Sequence, residues 1–451
     1  MANTYLQRTP SSTTNRKTFT ISTWFKRSNI TGATQRIFEA AVDGSSYTDL
    51  RIKPTEAFSF YTEAAGIAKI NLTTNRVLRD TSAWYHVVIA VDTTQGTASD
   101  RVKMYINGVQ ETSFATATYP DQNFDTYVNY SSAKNVFGRR DFYSDLYFDG
   151  SMSHVHLIDG TAYDATAFGE YDTNGVWTIN TSPSVTYGTN GFFILKDGNS
   201  VTDQSGNSNN FTVAGGTLTK TEDSPSNVFA TMNPLDQTNV GGSSATMTNG
   251  NLTWQSSSNN TSQNGMRGTV GLTQGKWYWE VKYIAKSSGN DDFSIGICGS
   301  EANLNVGGSG DILEGANPNV MWLTRNDNSS VKKNSSDVTT GLTDANIGDI
   351  IMLAVDMDNL KFFVGINGTW LNSANPVTGA NAPSTIDANT YLPAVSNYGY
   401  SYARTLSFNF GNGYFGTTPV ASAGTNASGN GIFEYDVPTG YTALSTKGLN
   451  L

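Results

Sequence analysis

The chain has 451 residues, more than one hydrophobic core ordinarily serves, and since all-β sandwiches commonly run to about 200–250 residues, two such units are expected. Only 15% of the residues are charged, while 44 Gly, 22 Tyr and 22 Phe among abundant Thr, Ser and Asn favour strands and turns over helices. A formal net charge of -10 argues against a nucleic-acid partner, which would need clustered Lys and Arg, and with Cys298 the only cysteine no intrachain disulfide can form.

The N-terminal segment MANTYLQRTPSSTTNRKTFT has no apolar stretch of the signal-peptide kind, and nowhere do about eighteen apolar residues run together, so neither an export signal nor membrane insertion is expected. Residues 15–27, NRKTFTISTWFKR, place apolar Phe19, Ile21 and, shifted by one, Trp24 in an alternation that predicts a half-buried strand. Further on, Val87, Ile89 and Val91 end at Asp92, and a second alternating strand carries Val102, Met104 and Ile106. Asn107 and Gly108 then supply the pair of positive φ values that a tight hairpin prefers.

Three features of the first half invite a chemical reading. His154 and His156, two apart on a strand, share a face and could chelate a metal, yet no Glu or further ligand follows, so a structural role is favoured. Glu170-Tyr171-Asp172 is the nearest approach to the carboxylate pair of a glycosidase, and no second Glu completes it. Asp197, Asp203, Asn207 and Asn209 are possible Ca2+ ligands, but Asp203 and Asn207 read more naturally as turn residues bonding their own backbone. No cofactor is expected beyond that open possibility of Ca2+, and no catalytic site.

A stretch rich in Ser, Thr, Asn, Gly and Pro follows. It predicts domains at 1–235 and 250–415 joined by a linker at 236–249, with 416–451 as a low-complexity segment and short tail. The second half repeats the earlier construction: GDIIMLAVDMDNLKFFVGINGTW ends one apolar strand at Asp356 and its partner at Asn367-Gly368. Tyr398, Tyr400 and Tyr402, spaced by two before the last clear strand, are the best candidate for a ligand platform; the alternative is a tyrosine row packed on a neighbouring strand.

The segments AWYHVVIAVD, VKMYINGVQ and FDGSMSHVHLIDGTAYDATAFGE resemble the laminin-G or concanavalin A-like jelly roll of bacteriophage structural proteins, a likeness covering most of residues 1–235. Residues 250–415 resemble a SPRY domain through GKWYWEVKYI, FSIGIC, GDIIMLAVDMDNLKFFVGINGTW, LPAV and LSFNFG, which fall in that family's order. The resemblance implies an all-β protein of two concanavalin-like antiparallel β-sandwich (jelly-roll) domains in tandem. It further implies a non-enzymatic virion structural protein, assembled in the bacterial cytoplasm and displayed at the virion surface. Its expected partners are other virion subunits and a host-surface glycan or protein, and its expected assembly is a homo-oligomer, most naturally a trimer. A carbohydrate-active enzyme on the same fold and a cellular lectin-like adhesin are the alternatives.

Overall fold

A computed structural model describes residues 3–196, 200–240, 244–257, 263–287, 293–304, 317–324, 329–397 and 403–450. The chain divides into two compact units, Met1–Lys220 with Ser224–Ser226, and Thr221–Asp223 with Asn227–Leu451. Each is a sandwich of antiparallel sheets.

In the first unit an eight-stranded sheet runs in the order Phe114–Thr118, Ile67–Val77, Ala57–Ala64, Ser46–Ile52, Gln35–Asp43, Lys134–Phe137, Tyr5–Arg8, Thr212–Gly215. A six-stranded sheet faces it, in the order Phe192–Ile194, Gly150–Asp159, Thr18–Arg27, Trp84–Asp92, Val102–Ile106, Val109–Gln110. Alternation along each strand sends Phe38, Leu50, Phe60 and Leu72 from the larger sheet, and Phe19, Ile21, Phe25, Val87, Ile89, Val91 and Met104 from the smaller, into one buried core. Position 23 faces in as Thr23, Phe25 resumes the core row, and Trp24 turns to the opposite side, where its ring stacks on His86 at 4.6 Å. The hairpin residues Asn107 and Gly108 have φ of 48° and 80°, and Asn367 and Gly368 in the second unit have 48° and 83°. The recurrence extends to side chains: Asn107 Oδ1 accepts from His86 N at 2.8 Å, and Asn367 Oδ1 from Ile350 N at 2.9 Å.

The outer face of the six-stranded sheet is covered by residues 161–190. Phe168, Ala165, Trp177, Val185 and Tyr187 pack there on Val88 and Ile158, and Thr20 fixes the start of the strap through Thr161 O and Tyr163 N, at 2.8 and 2.7 Å.

In the second unit, Trp254, Trp277, Trp279, Trp322, Ile295, Leu353, Val364 and Phe408 fill the space between two sheets. One is ordered Met232–Val240, Gln263–Gly268, Tyr391–Asn397, Phe293–Gly299, Asn319–Thr324, Ser329–Lys333, Ser336–Leu342. The other has Arg404–Asn409, Lys276–Lys286, Ile350–Asp356 and Lys361–Ile366 at its centre.

Two expectations about organisation change. The stretch 236–249 is not a free linker: Met232–Val240 pairs with Gln263–Gly268, Thr246–Thr248 pairs with Thr253–Gln255, and the units separate at 220–227 instead. A Thr- and Asn-rich segment joins a sheet here because Phe229, Ala230 and Met232 just before it are buried. The segment 416–451 is likewise no loose tail. Phe433, Val437, Tyr441 and Ala443 bury against Tyr278, Met352 and Phe363 on the outer face of the second sheet, and Thr442–Ala443 pairs in parallel with Trp277 and Tyr278. Its latch is Glu280, fully buried, whose Oε1 accepts from Tyr435 N at 2.8 Å and Tyr278 OH at 3.0 Å. Its Oε2 accepts from Glu434 N at 2.9 Å and Asn409 Nδ2 at 3.3 Å. Burial pushes this carboxyl up to about 7, opposed by those four donors.

Candidate functional site

The first unit's larger sheet turns one face to the core and leaves the other polar. Register places one row of outward residues across all eight strands: Thr118, Asn71, Tyr61, Asp49, Glu39, Val136, Gln7 and Thr212 lie successively opposite one another. Seven of the eight are polar, but Asp49, Glu39 and Val136 at the middle are buried, so Thr118, Asn71 and Tyr61 on one side and Gln7 and Thr212 on the other are the members that reach solvent. Beside it runs a second row, with Thr116, Thr73, Ser59 and Arg51 successively paired. Thr73 Oγ1 lies 2.9 Å from Asn71 Oδ1 and 3.1 Å from Ser59 Oγ, so the hydroxyls and amides here already form a connected layer.

Beneath Tyr47 and Tyr61 lies a charged base. The Arg36 guanidinium pairs with Glu39 and, at 2.7 Å, with Asp49, whose other oxygen takes Arg51 Nε at 2.7 Å. Glu39 Oε2 accepts from Asp141 N at 2.6 Å. Glu39 and Asp49 are 2% and 0% exposed, and burial pushes Glu39 up to about 7 against the pull of Arg36. Above them Arg51 covers the Tyr61 ring at 4.1 Å and Arg36 the Tyr47 ring at 4.6 Å, while both tyrosine hydroxyls donate to Glu63 Oε2, at 2.9 and 3.2 Å. Burial, and then the bond to Glu63, raise the Tyr61 hydroxyl to about 12. The face is therefore rigid at its base and rich in hydrogen-bonding groups at its surface.

The cross-strand pair Glu39 and Asp49 is the carboxylate juxtaposition that a search along single strands misses. Each of its four oxygens is held by an arginine or a backbone N–H, and neither residue reaches solvent, so the pair braces the sheet and leaves no oxygen for a substrate. Ser22 and His86 make a second suggestive contact, with Oγ and Nε2 2.9 Å apart. Trp177 Nε1 donates to His86 Nδ1 at 3.0 Å, and burial depresses the imidazole to about 3. The ring is thus neutral with its proton on Nε2, which donates to Ser22 and cannot accept that serine's proton.

His154 and His156 do not form the chelate considered from their spacing. A bulge between Ser153 and His156 breaks the alternation, with His154 at φ 47°. His154 Nδ1 meets Ser153 Oγ at 2.8 Å, His156 Nδ1 meets Tyr187 OH at 2.9 Å, and the Phe193 ring stacks on His156 at 4.0 Å. Among the described residues no group of three or more His, Cys, Asp or Glu could hold a metal ion. Asp203 spends both oxygens on its own neighbourhood: Oδ1 accepts from Phe193 N and Ser205 N, Oδ2 from Ser205 Oγ and Asn209 N. Asn207 departs from the expected bond to its own backbone: its amide nitrogen donates to the Gly188 and Gly191 carbonyls of a distant loop, and that of Asn209 to Thr189 and Gly191. Asp172 accepts from Asn174 N and Val176 N within its hairpin, and Glu170 is exposed beside it. Asp197 and the tyrosine row Tyr398, Tyr400 and Tyr402 lie outside the described residues.

In the second unit a depression of about 460 Å³ is lined by Asp236, Gln237, Thr238, Arg267, Ala302, Asn303 and Leu304. Its one cation is committed to Asp236 and to the carbonyls of Gly299, Ser300 and Ala302.

Residues 1–166 match the family described as the concanavalin A-like lectin/glucanases superfamily. No curated protein sequence matches the chain. Similar solved structures include the SPRY domain of human HERC1, at 17% identity and TM-score 0.27, covering 39% of this chain and 96% of that one. The mouse laminin alpha1 chain, domains LG4-5, is similar at 10% identity and TM-score 0.26, covering 90% and 86%. The heptameric SAP-like pentraxin from Limulus polyphemus is similar at 16% and 0.27, covering 36% and 71%. The family match over residues 1–166 and the paired antiparallel sheets agree on a concanavalin-like sandwich fold for the first unit.

Proposed function

We propose that this chain is a non-enzymatic recognition protein whose outward sheet face in the first unit binds a surface glycan. The observation that carries the reading is the solvent-reaching arm of the transverse polar row, Thr118, Asn71 and Tyr61 with Thr116 beside them, which offers hydroxyls, an amide and an aromatic ring next to the buried brace of Asp49 and Glu39. The locked oxygens of Glu39 and Asp49 and the neutral, donating His86 support binding over hydrolysis. The resemblance of its segments to modules of phage structural proteins supports a place on a virion surface, in a homo-oligomeric assembly that meets a host.

The test is a glycan array followed by titration of the purified chain against the best ligand. Tyr61→Ala with Asn71→Ala should weaken binding roughly thirtyfold, the loss usual for a contact that anchors a ligand, while the melting temperature stays within a few degrees. Unchanged binding by that double variant removes the sheet face as the site. Release of reducing ends from the bound polysaccharide overturns the non-enzymatic reading.

A further inference from the structure

Residues 139–148 form a hairpin beside the polar face, and its tip carries Phe142 and Tyr143, 61% and 56% exposed, as an edge-to-face pair 5.1 Å apart. Two large aromatics held in water are costly to display, and this pair is not there for want of order. Arg140 N donates to Asp145 O at 2.9 Å and its guanidinium forks onto the Asp145 carboxylate. Asp141 takes Arg139 at 3.1 Å and Lys134 at 3.0 Å, while its own N–H reaches Glu39. Arg36 N donates to Leu146 O at 2.9 Å, and the Arg140 guanidinium lies over the Tyr143 ring at 4.4 Å. Gly44 sits so close that an added Cβ would stand 2.7 Å from Tyr143 Oη and 3.0 Å from Phe142 Cδ1. Gly66 N, in the adjoining hairpin, donates to Ser45 O at 3.0 Å. The three hairpin tips thus meet, adding Val42 and Ile67, 43% and 60% exposed, to the same rim.

We propose that this rim is a self-association surface, and that its occupant is the same rim of a second copy of the chain, related by a two-fold axis. A rigid aromatic and arginine cluster with aliphatic flanks has the makeup of an interface centre, and its anchoring means little entropy is lost on docking. The charge pattern selects the occupant. A two-fold contact sets the patch against itself, so it must carry both signs close together, and Arg140 and Asp145 do so, 27% and 44% exposed at the side chain. Each Arg140–Asp145 pair, closed within its own hairpin, can then lie antiparallel to the partner's pair, with the part-exposed Arg140 beside the partner's Asp145 as a second contact. Self-docking of this kind closes at two copies.

Sedimentation equilibrium on the full chain tests this. The expected result is a reversible monomer–dimer equilibrium that Phe142→Ala weakens at least thirtyfold, since each dimer loses the anchor twice. The charge swaps Arg140→Asp and Asp145→Arg should each remain monomeric, and an equimolar mixture of the two should restore the dimer. Circular dichroism melts check that every variant is folded. A wild-type chain that stays monomeric, a trimer, a dimer indifferent to Phe142→Ala, or a mixture of swaps that stays monomeric overturns the proposal. So does a monomer whose Phe142→Ala variant loses glycan binding, which would assign the rim to the glycan.

Discussion

The two units close an outer sheet face with opposite chemistry, and register shows the positions to be equivalent. Thr18 pairs with Asp92 and Ser22 with Val88 in the first unit; Lys276 pairs with Asp356 and Glu280 with Met352 in the second. Counting from those aspartates, Ser22 stands where Glu280 stands, Thr20 where Tyr278 stands, and the core residues Phe19 and Ile21 answer to Trp277 and Trp279. At one position the first unit has a small hydroxyl under a neutral histidine and a tryptophan; the other has a carboxylate gathering four donors. Both coverings bring aromatics, Phe168 and Trp177 in the strap and Phe433 and Tyr441 in the tail, but at this position the strap presents an indole N–H that His86 accepts. The second unit's tail brings bare backbone N–H groups at 434 and 435, which only a buried acceptor can satisfy.

The largest expected effect follows from that difference. Glu280→Ala strips acceptors from two backbone amides, an asparagine and a tyrosine hydroxyl at once, and should cost the second unit about 3 kcal/mol or more. The loss should be local at first, with protease cutting between residues 416 and 445 before any cut in the strands at 276–286 or 350–356. Ser22→Ala, at the equivalent position, should cost about 1 kcal/mol, the value of one neutral hydrogen bond. Equal costs in urea melts of the two variants would break the comparison.

The pH dependence is the next effect in size, and here the units share a raised glutamate but differ in that only the first also buries neutral histidines. Glu39 and Glu280 both titrate near 7 in the folded chain against an ordinary value of 4.5. Folding therefore takes up protons between those values, so the stability they contribute is complete below about 4.5 and is lost as pH rises through about 7. Chemical denaturation at pH 5 and pH 8 should show the second unit weaker at the higher pH; in the first, His86 and His156 are buried neutral and take up protons below about 6.5 only on unfolding, which opposes Glu39 and should leave that unit no weaker at pH 8 than at pH 5. Glu39→Gln should leave the first unit with the histidine slope alone, weaker at pH 5 than at pH 8, and the second unit unchanged, which separates the contributions.

Much of this architecture is legible in the sequence, and what is not has a physical reason. Asn107-Gly108 and Asn367-Gly368 announce their hairpins because positive φ selects those residues locally, and Val87, Ile89 and Val91 announce a buried strand by alternation. The linker and tail lie elsewhere than composition alone indicates because Thr, Ser, Asn and Gly also serve in strands whose burial is decided by few residues, here Phe229, Met232, Phe433 and Tyr441. Glu280 sits within the strand KWYWEVKYIAK, but its main-chain partners lie more than 150 residues on, beyond any local pattern. The outward row on the eight-stranded sheet is invisible for a related reason. Its members come one from each strand, so no strand alone spells the site, and Glu39 with Asp49 escapes a carboxylate search confined to one segment.

The smallest effect probes the neutral side of the comparison. Trp177 donates to His86 Nδ1, and this one contact assigns the imidazole proton to Nε2, from which it reaches Ser22. Trp177→Phe keeps an aromatic face against His86, whose ring centroid lies 5.9 Å from that of Trp177, but removes the donor. The expected cost is about 1 kcal/mol, a shift of roughly 2–4 °C in the melting of a unit this size. The nitrogen-15 shifts of His86 should report the freed Nδ1, through loss of a single proton-bearing Nε2 signal in favour of exchange between tautomers. If the signals are unchanged, another group sets the tautomer and the strap is latched by packing alone. If the variant instead loses as much stability as Glu280→Ala, the first unit too depends on one buried polar latch, and the contrast between strap and tail fails.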